Sequence, residues 1–163
     1  MVPEIKKIFY ATDLSENARF AFGYAADMAR RYNAKITILH VMEDMLPSME
    51  NLVHDVVGED RWKKLIAEKY EYVTEKIKTR IEDFCQEMGS VIESCPLLVD
   101  DIIIEKGNPT EEILHGAKKA EADMIVMGNR GYNILKDGLI GGTARRVVRQ
   151  SKIPVLVIRL PDK

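Results

Sequence analysis

The chain has 163 residues, 46% hydrophobic and 31% charged, with 24 basic against 26 acidic side chains and a formal net charge of -2. Those figures describe one soluble domain over residues 1–163, with no overall attraction to nucleic acid or to an anionic membrane. Apolar runs such as Val155 to Ile158 fall far short of the roughly 18 residues a membrane helix needs, and Lys6 and Lys7 arrive before a secretory h-region can form, so a cytoplasmic location is expected.

In chain order, Ile5, Ile8, Phe9 and Tyr10 make a short apolar run ending in Ala11-Thr12-Asp13, a buried strand entering a polar turn. Ser15 then caps a helix in which Ala18, Ala21, Phe22, Ala25, Met28, Ala29 and Tyr32 recur every three or four residues, and Asn33 ends it. Ile36, Ile38, Leu39 and Val41 form a second strand whose near-continuous apolarity suits a sheet covered on both faces. Residues 42–58 hold Pro47, Ser48, Asn51 and Gly58 without steady periodicity and read as a long crossover loop, with a helical turn at most. From Glu59 a long helix keeps Trp62, Leu65, Ile66, Tyr70, Val73, Ile77, Ile81, Phe84, Cys85 and Met88 on one stripe, and Gly89 stops it.

Leu97 to Ile104 give a third strand, irregular around Asp100-Asp101 and ending at Gly107. Asn108, Pro109 and Glu111 form a variant of the capping box that opens the next helix, with Ile113, Leu114 and Ala117 facing inward. Asp123 to Met127 is the fourth strand and runs into Gly128. After a glycine-rich loop, a helix spans Thr143 to Ser151, and Pro154 precedes the last strand, Val155 to Ile158. This alternation predicts an α/β domain whose parallel sheet carries helices on both faces.

Little in the sequence suggests bond-making chemistry. Cys85 and Cys95 are the only cysteines and read as reduced thiols. His40, His54 and His115 lack the spacing that sets two imidazoles on one helix face, so no metal site is expected. The nucleophile-elbow pattern Gly-x-Ser-x-Gly is absent, and so are the Walker and dinucleotide glycine patterns.

The signal lies after the fourth strand, at Gly128-Asn129-Arg130-Gly131, nine further residues, and Gly141-Gly142-Thr143 opening a helix. Glycines let the backbone approach a phosphate chain, and consecutive amides at a helix start face an anion. Between Gly128 and Lys152 stand six bases and one acid, a local excess of positive charge in a chain that is negative overall.

Over essentially its whole length the chain resembles the universal stress protein family of UspA-like domains. The likeness rests on Ala11-Thr12-Asp13-Leu14-Ser15, His40-Val41, Gly107-Asn108-Pro109, Asp123 to Gly128 and Ile153-Pro154-Val155-Leu156-Val157. The family's ATP-binding subgroup carries Gly-x2-Gly-x9-Gly-[Ser/Thr], a spacing held here by Gly128, Gly131 and Gly141. The resemblance implies a doubly wound, five-stranded parallel sheet of order 3-2-1-4-5 with helices on both faces, of the adenine nucleotide alpha hydrolase-like kind. It also implies ATP, ADP or AMP across the switch point, with Mg²⁺ as an accompanying ion. Thr12, Asp13 and Val41 would stand by adenine and ribose, and Met127, Gly128, Arg130, Gly131, Gly141, Gly142 and Thr143 around ribose and phosphates. One position departs from the pattern. Gly142 stands where the family has Ser or Thr, and Thr143, one residue on, is rotated by about 100° around the helix.

The implied function is an adenine-nucleotide-binding regulatory protein of the stress response, acting through conformation or assembly, with no catalytic residue assigned. A slow Mg²⁺-dependent ATPase using Asp13 or a loop residue to orient water is the enzyme alternative. A dimeric interaction module without nucleotide is the other, kept open by Gly142. Family members commonly dimerise, which points to a homodimer through Val155–Ile158, and neither nucleic acid nor membrane is an expected partner.

Overall fold

A computed structural model describes residues 2–43, 47–87, 95–129 and 140–159. Strands β1 (Lys7–Thr12), β2 (Lys35–Met42), β3 (Val99–Lys106), β4 (Met124–Gly128) and β5 (Val155–Ile158) form one parallel sheet of order β3-β2-β1-β4-β5. The order reverses at β1, which pairs with β2 on one side and β4 on the other, so the crevice beyond Thr12 and Gly128 is a topological switch point.

Period-two alternation along β1 feeds two cores. Ile8 and Tyr10 face α1 (Glu16–Tyr32) and α3 (Glu59–Glu87), while Phe9 and Ala11 face α4 (Pro109–Lys119) and α5 (Gly142–Gln150). Helix α1 presents Ala18, Ala21, Ala25, Ala26 and Ala29, a face of small side chains that lets it lie close to the sheet. The Ser15 side chain caps it by accepting from the Ala18 N–H. Helix α4 is capped by Asn108, which accepts from Thr110 and Glu111, with Pro109 at its first position. It presses so near the sheet that a Cβ on Gly116 would stand 2.7 Å from Phe9 Cζ.

The irregularity expected in the third strand is a bulge. Ile36 pairs with Val99 and Thr37 with Asp101, leaving Asp100 as the extra residue.

Three expectations are corrected. Residues 42–58 are not a loop, because Pro47–Val57 is a helix, α2. Met49, Leu52, Val53, Val56 and Val57 recur there at helical spacing, a stripe obscured by Pro47, Ser48, Asn51 and Gly58; the helix buries no residue, leaves Met49, Leu52 and Val56 exposed, starts at Pro47, and pairs Glu50 with Lys106 of β3 at 2.8 Å. In α3 the stripe meets the core only from Tyr70 onward: Val73, Ile77 and Phe84 are buried, Tyr70, Ile81 and Cys85 pack half-buried against that core, and Leu65 is exposed. Cys85 is disulfide-bonded rather than a free thiol. The expected stop at Met88 and Gly89 lies outside the described residues.

Candidate functional site

The switch point is built first by the turn after β1. Leu14 sits in the left-handed region at φ 64°, and its N–H donates to Thr12 Oγ1 at 3.0 Å. That turn sets the Asp13 carboxylate against Ser15, two residues on, where Oδ1 accepts from the Ser15 N–H at 3.0 Å and from the Ser15 hydroxyl at 2.6 Å. The Asp13 carboxylate thus braces the N-cap residue of α1. Behind the turn, His40 Nδ1 lies 2.9 Å from the Thr12 carbonyl. A carbonyl can only accept, so Nδ1 carries the hydrogen. Burial, reinforced by Lys76 and Lys69, holds the imidazole below its usual pKa against the opposing pull of the Thr12 bond and Asp13. Tyr10, buried beneath the same turn, has its phenol pushed well above its usual range by burial and donates to the Ala18 carbonyl.

The opposite wall comes from β4 and α5. The Asn129 N–H donates to the Ile158 carbonyl at 2.7 Å, and the Asn129 carbonyl accepts from the Gly141 N–H at 2.9 Å. The second bond clips the start of α5 to the end of β4, so the helix opens beside Gly128. Helix α5 differs from α1 and α4 in its N-terminus: Gly141 is its N-cap, and no side chain caps it. Its first-turn amides thus add to the positive end of the helix dipole without a capping acceptor. Asn129 is only 4% exposed, and its Oδ1 has no hydrogen-bond partner among the described residues.

Between these walls lies a cleft of about 340 Å³. Thr12, Asp13, Val41, Met127, Gly128, Gly141, Gly142 and Thr143 all line it, so every expected site residue that the structure describes is gathered there. Arg130 and Gly131 lie outside the described residues. The lining also includes residues the sequence reading did not assign. Leu39 and Glu43 flank Val41 at the two-residue period of a strand, a signal that was available. Pro109 and Ile113 reach the cleft because α4 crosses to that face of the sheet, and Asn129 because it follows Gly128. The described lining carries two carboxylates, Asp13 and Glu43, and no Lys or Arg. The cleft is therefore acidic near β1 and β2 and anion-attracting at α5.

Among curated proteins, the chain is similar to the universal stress protein MJ0577 of Methanocaldococcus jannaschii, at 28% identity over 154 residues and 94% of each chain. Among solved structures, it is similar to the universal stress protein UspA of Lactobacillus plantarum, with a TM-score of 0.73 at 25% identity over 97% of this chain and 100% of that one. The fold also matches a universal stress protein of Archaeoglobus fulgidus solved in complex with dAMP, with a TM-score of 0.59 at 20% identity over 96% and 99% of the two chains. The family model for universal stress proteins matches residues 4–159, nearly the whole chain, and with the 3-2-1-4-5 sheet it establishes that this chain belongs to the universal stress protein family.

Proposed function

We propose that the chain binds an adenine nucleotide in the switch-point cleft and acts as a nucleotide-dependent regulatory protein. The observation that carries this reading is the uncapped N-terminus of α5, which opens into the cleft beside Gly128. Phosphates meet the amides of Gly142 and Thr143 there, the arrangement helix starts use for anions. The base and ribose lie toward Val41 and Asp13, where Leu39, Val41 and Ile113 offer apolar surface. The residues fit such a guest: the volume is in the range of small-molecule sites, and the unpartnered Asn129 Oδ1 is an acceptor that a sugar hydroxyl would satisfy. The dAMP bound by the Archaeoglobus fulgidus protein supports the same class of ligand. Among the described residues no group of three or more His, Cys, Asp or Glu could hold a metal ion, so Mg²⁺ belongs to this reading as a companion of the nucleotide phosphates.

Regulation then follows from differential affinity: whichever conformation or assembly binds nucleotide more tightly gains population as nucleotide rises. The assembly in this reading is a homodimer through β5, which stands at the edge of the sheet with Val155, Leu156 and Val157 half-buried. Calorimetric titration with ATP, ADP and AMP tests the central claim. Saturable heat with at least one of them is expected. No heat and no thermal shift at millimolar nucleotide rejects it.

A further inference from the structure

We propose that Arg146 is a phosphate-binding residue of this cleft, reaching over Gly142 to supply a cation that the described lining lacks. The inference rests on the nucleotide reading above and goes beyond it by naming a specificity determinant.

Helix geometry makes the approach natural, because residues four apart stack on one face and side chains lean toward the N-terminus. Arg146 follows Gly142 by four, and its Nη2 lies 3.9 Å from where a Cβ on Gly142 would stand. The guanidinium is thus drawn over the first turn of α5, beside the amides that open into the cleft. A serine or threonine at position 142 would project its hydroxyl into the space that Arg146 overhangs. Glycine leaves that space to the arginine.

The charge pattern gives the reach a purpose. The described lining holds Asp13 and Glu43 with no Lys or Arg, so among the described lining residues only the start of α5 offers a polyphosphate positive charge. Arg146 appears in none of the described salt bridges, so no carboxylate competes for it among the described residues. A second feature marks the same spot as a ligand site: the 4%-exposed Asn129 side chain, with its unpartnered Oδ1, lines the cleft and is clipped through its carbonyl to Gly141. A guanidinium offers phosphate two parallel N–H donors, a geometry a lysine cannot copy.

The test is calorimetric titration of wild type, Arg146→Gln and Arg149→Gln with ATP and with adenosine at low salt. Arg149 is exposed on the same helix and controls for loss of charge alone. Arg146→Gln is expected to weaken ATP by about tenfold, the loss of a charge-assisted bond discounted for exposure, with adenosine unchanged. Arg149→Gln is expected to stay within about twofold of wild type for both. Equal ATP affinity in wild type and Arg146→Gln overturns the inference while leaving the nucleotide reading intact. Equal losses in the two variants overturn it as well, by assigning the effect to general electrostatics. Wild type that binds neither compound overturns the nucleotide reading itself.

Discussion

Ser15 holds the Asp13 carboxylate with both its backbone N–H and its hydroxyl, while its Oγ accepts from the Ala18 N–H as the cap of α1. One side chain therefore joins a helix terminus to a cleft acid. Ser15→Ala is expected to cost about 1 kcal/mol, the usual loss of a cap, and to lower the melting temperature by roughly 2–4 °C. It also leaves Asp13 with the backbone bond alone, so nucleotide affinity is expected to fall in the same variant. Thermal unfolding and calorimetry on one preparation check both halves, and an unchanged melting temperature contradicts the capping role.

Phe9 is fully buried, and its ring fills the place where a side chain on Gly116 would go, with Cζ 2.7 Å from the Cβ position. Gly116→Ala gains helix propensity yet must push either the ring or the helix aside. Overpacking is the larger effect, and a net destabilisation of about 1–3 kcal/mol is expected. The double variant Phe9→Leu with Gly116→Ala should recover part of that loss, since the smaller side chain vacates the contact. Urea unfolding of the two single variants and the double variant forms the cycle; strict additivity would show that the two sites do not touch.

The elements that the sequence makes legible are those whose pattern answers to a core. β1 is an unbroken apolar run because Ile8 and Phe9 enter different buried layers, and α1 repeats because its alanines meet the sheet. Asn108-Pro109 reads as a helix start because capping is local chemistry. What stays hidden depends on contacts distant in sequence. Helix α2 carries the stripe Met49, Leu52, Val53, Val56 and Val57, but that stripe answers to no core, and its Glu50–Lys106 pair spans 56 residues. The disulfide at Cys85 depends on spatial approach, which spacing does not reveal. In the cleft, the glycine spacing and the strand ends were readable, whereas Pro109, Ile113 and the Asn129–Gly141 clip required the crossing of α4 and the closure of α5.

His40 predicts the shape of the acid limb of stability. Burial keeps its folded pKa below the value near 6.5 of an unfolded histidine, so between the two the unfolded chain binds more protons. The contribution is complete above about pH 6.5 and is lost as pH falls through the folded value. The groups acting on the imidazole are Asp13 from the β1 turn and Lys69 and Lys76 from α3. His40→Asn can still donate to the Thr12 carbonyl but does not titrate. Its urea midpoint should therefore fall less than that of wild type as pH drops below about 6.5. Parallel curves for the two proteins would rule His40 out as the source.

The β5 edge can be tested through its hydrogen-bond parity. Ile125 donates to the Pro154 carbonyl and Asn129 to the Ile158 carbonyl. In a parallel ladder this turns Leu156 and Ile158 toward β4 and leaves the N–H groups of Val155 and Val157 at the open edge. Pairing with a second copy would have to use those outward donors. Val157→Pro removes one of them without touching the β4–β5 ladder, in the one strand setting where proline is tolerated. Its ring keeps apolar cover over the core between the sheet, α4 and α5, which Val157 contacts. The expected outcome is a dimeric mass for wild type by light scattering and a monomeric mass for Val157→Pro, with matching circular dichroism. A variant that stays dimeric, or a wild type that is monomeric, places any self-association elsewhere than this edge.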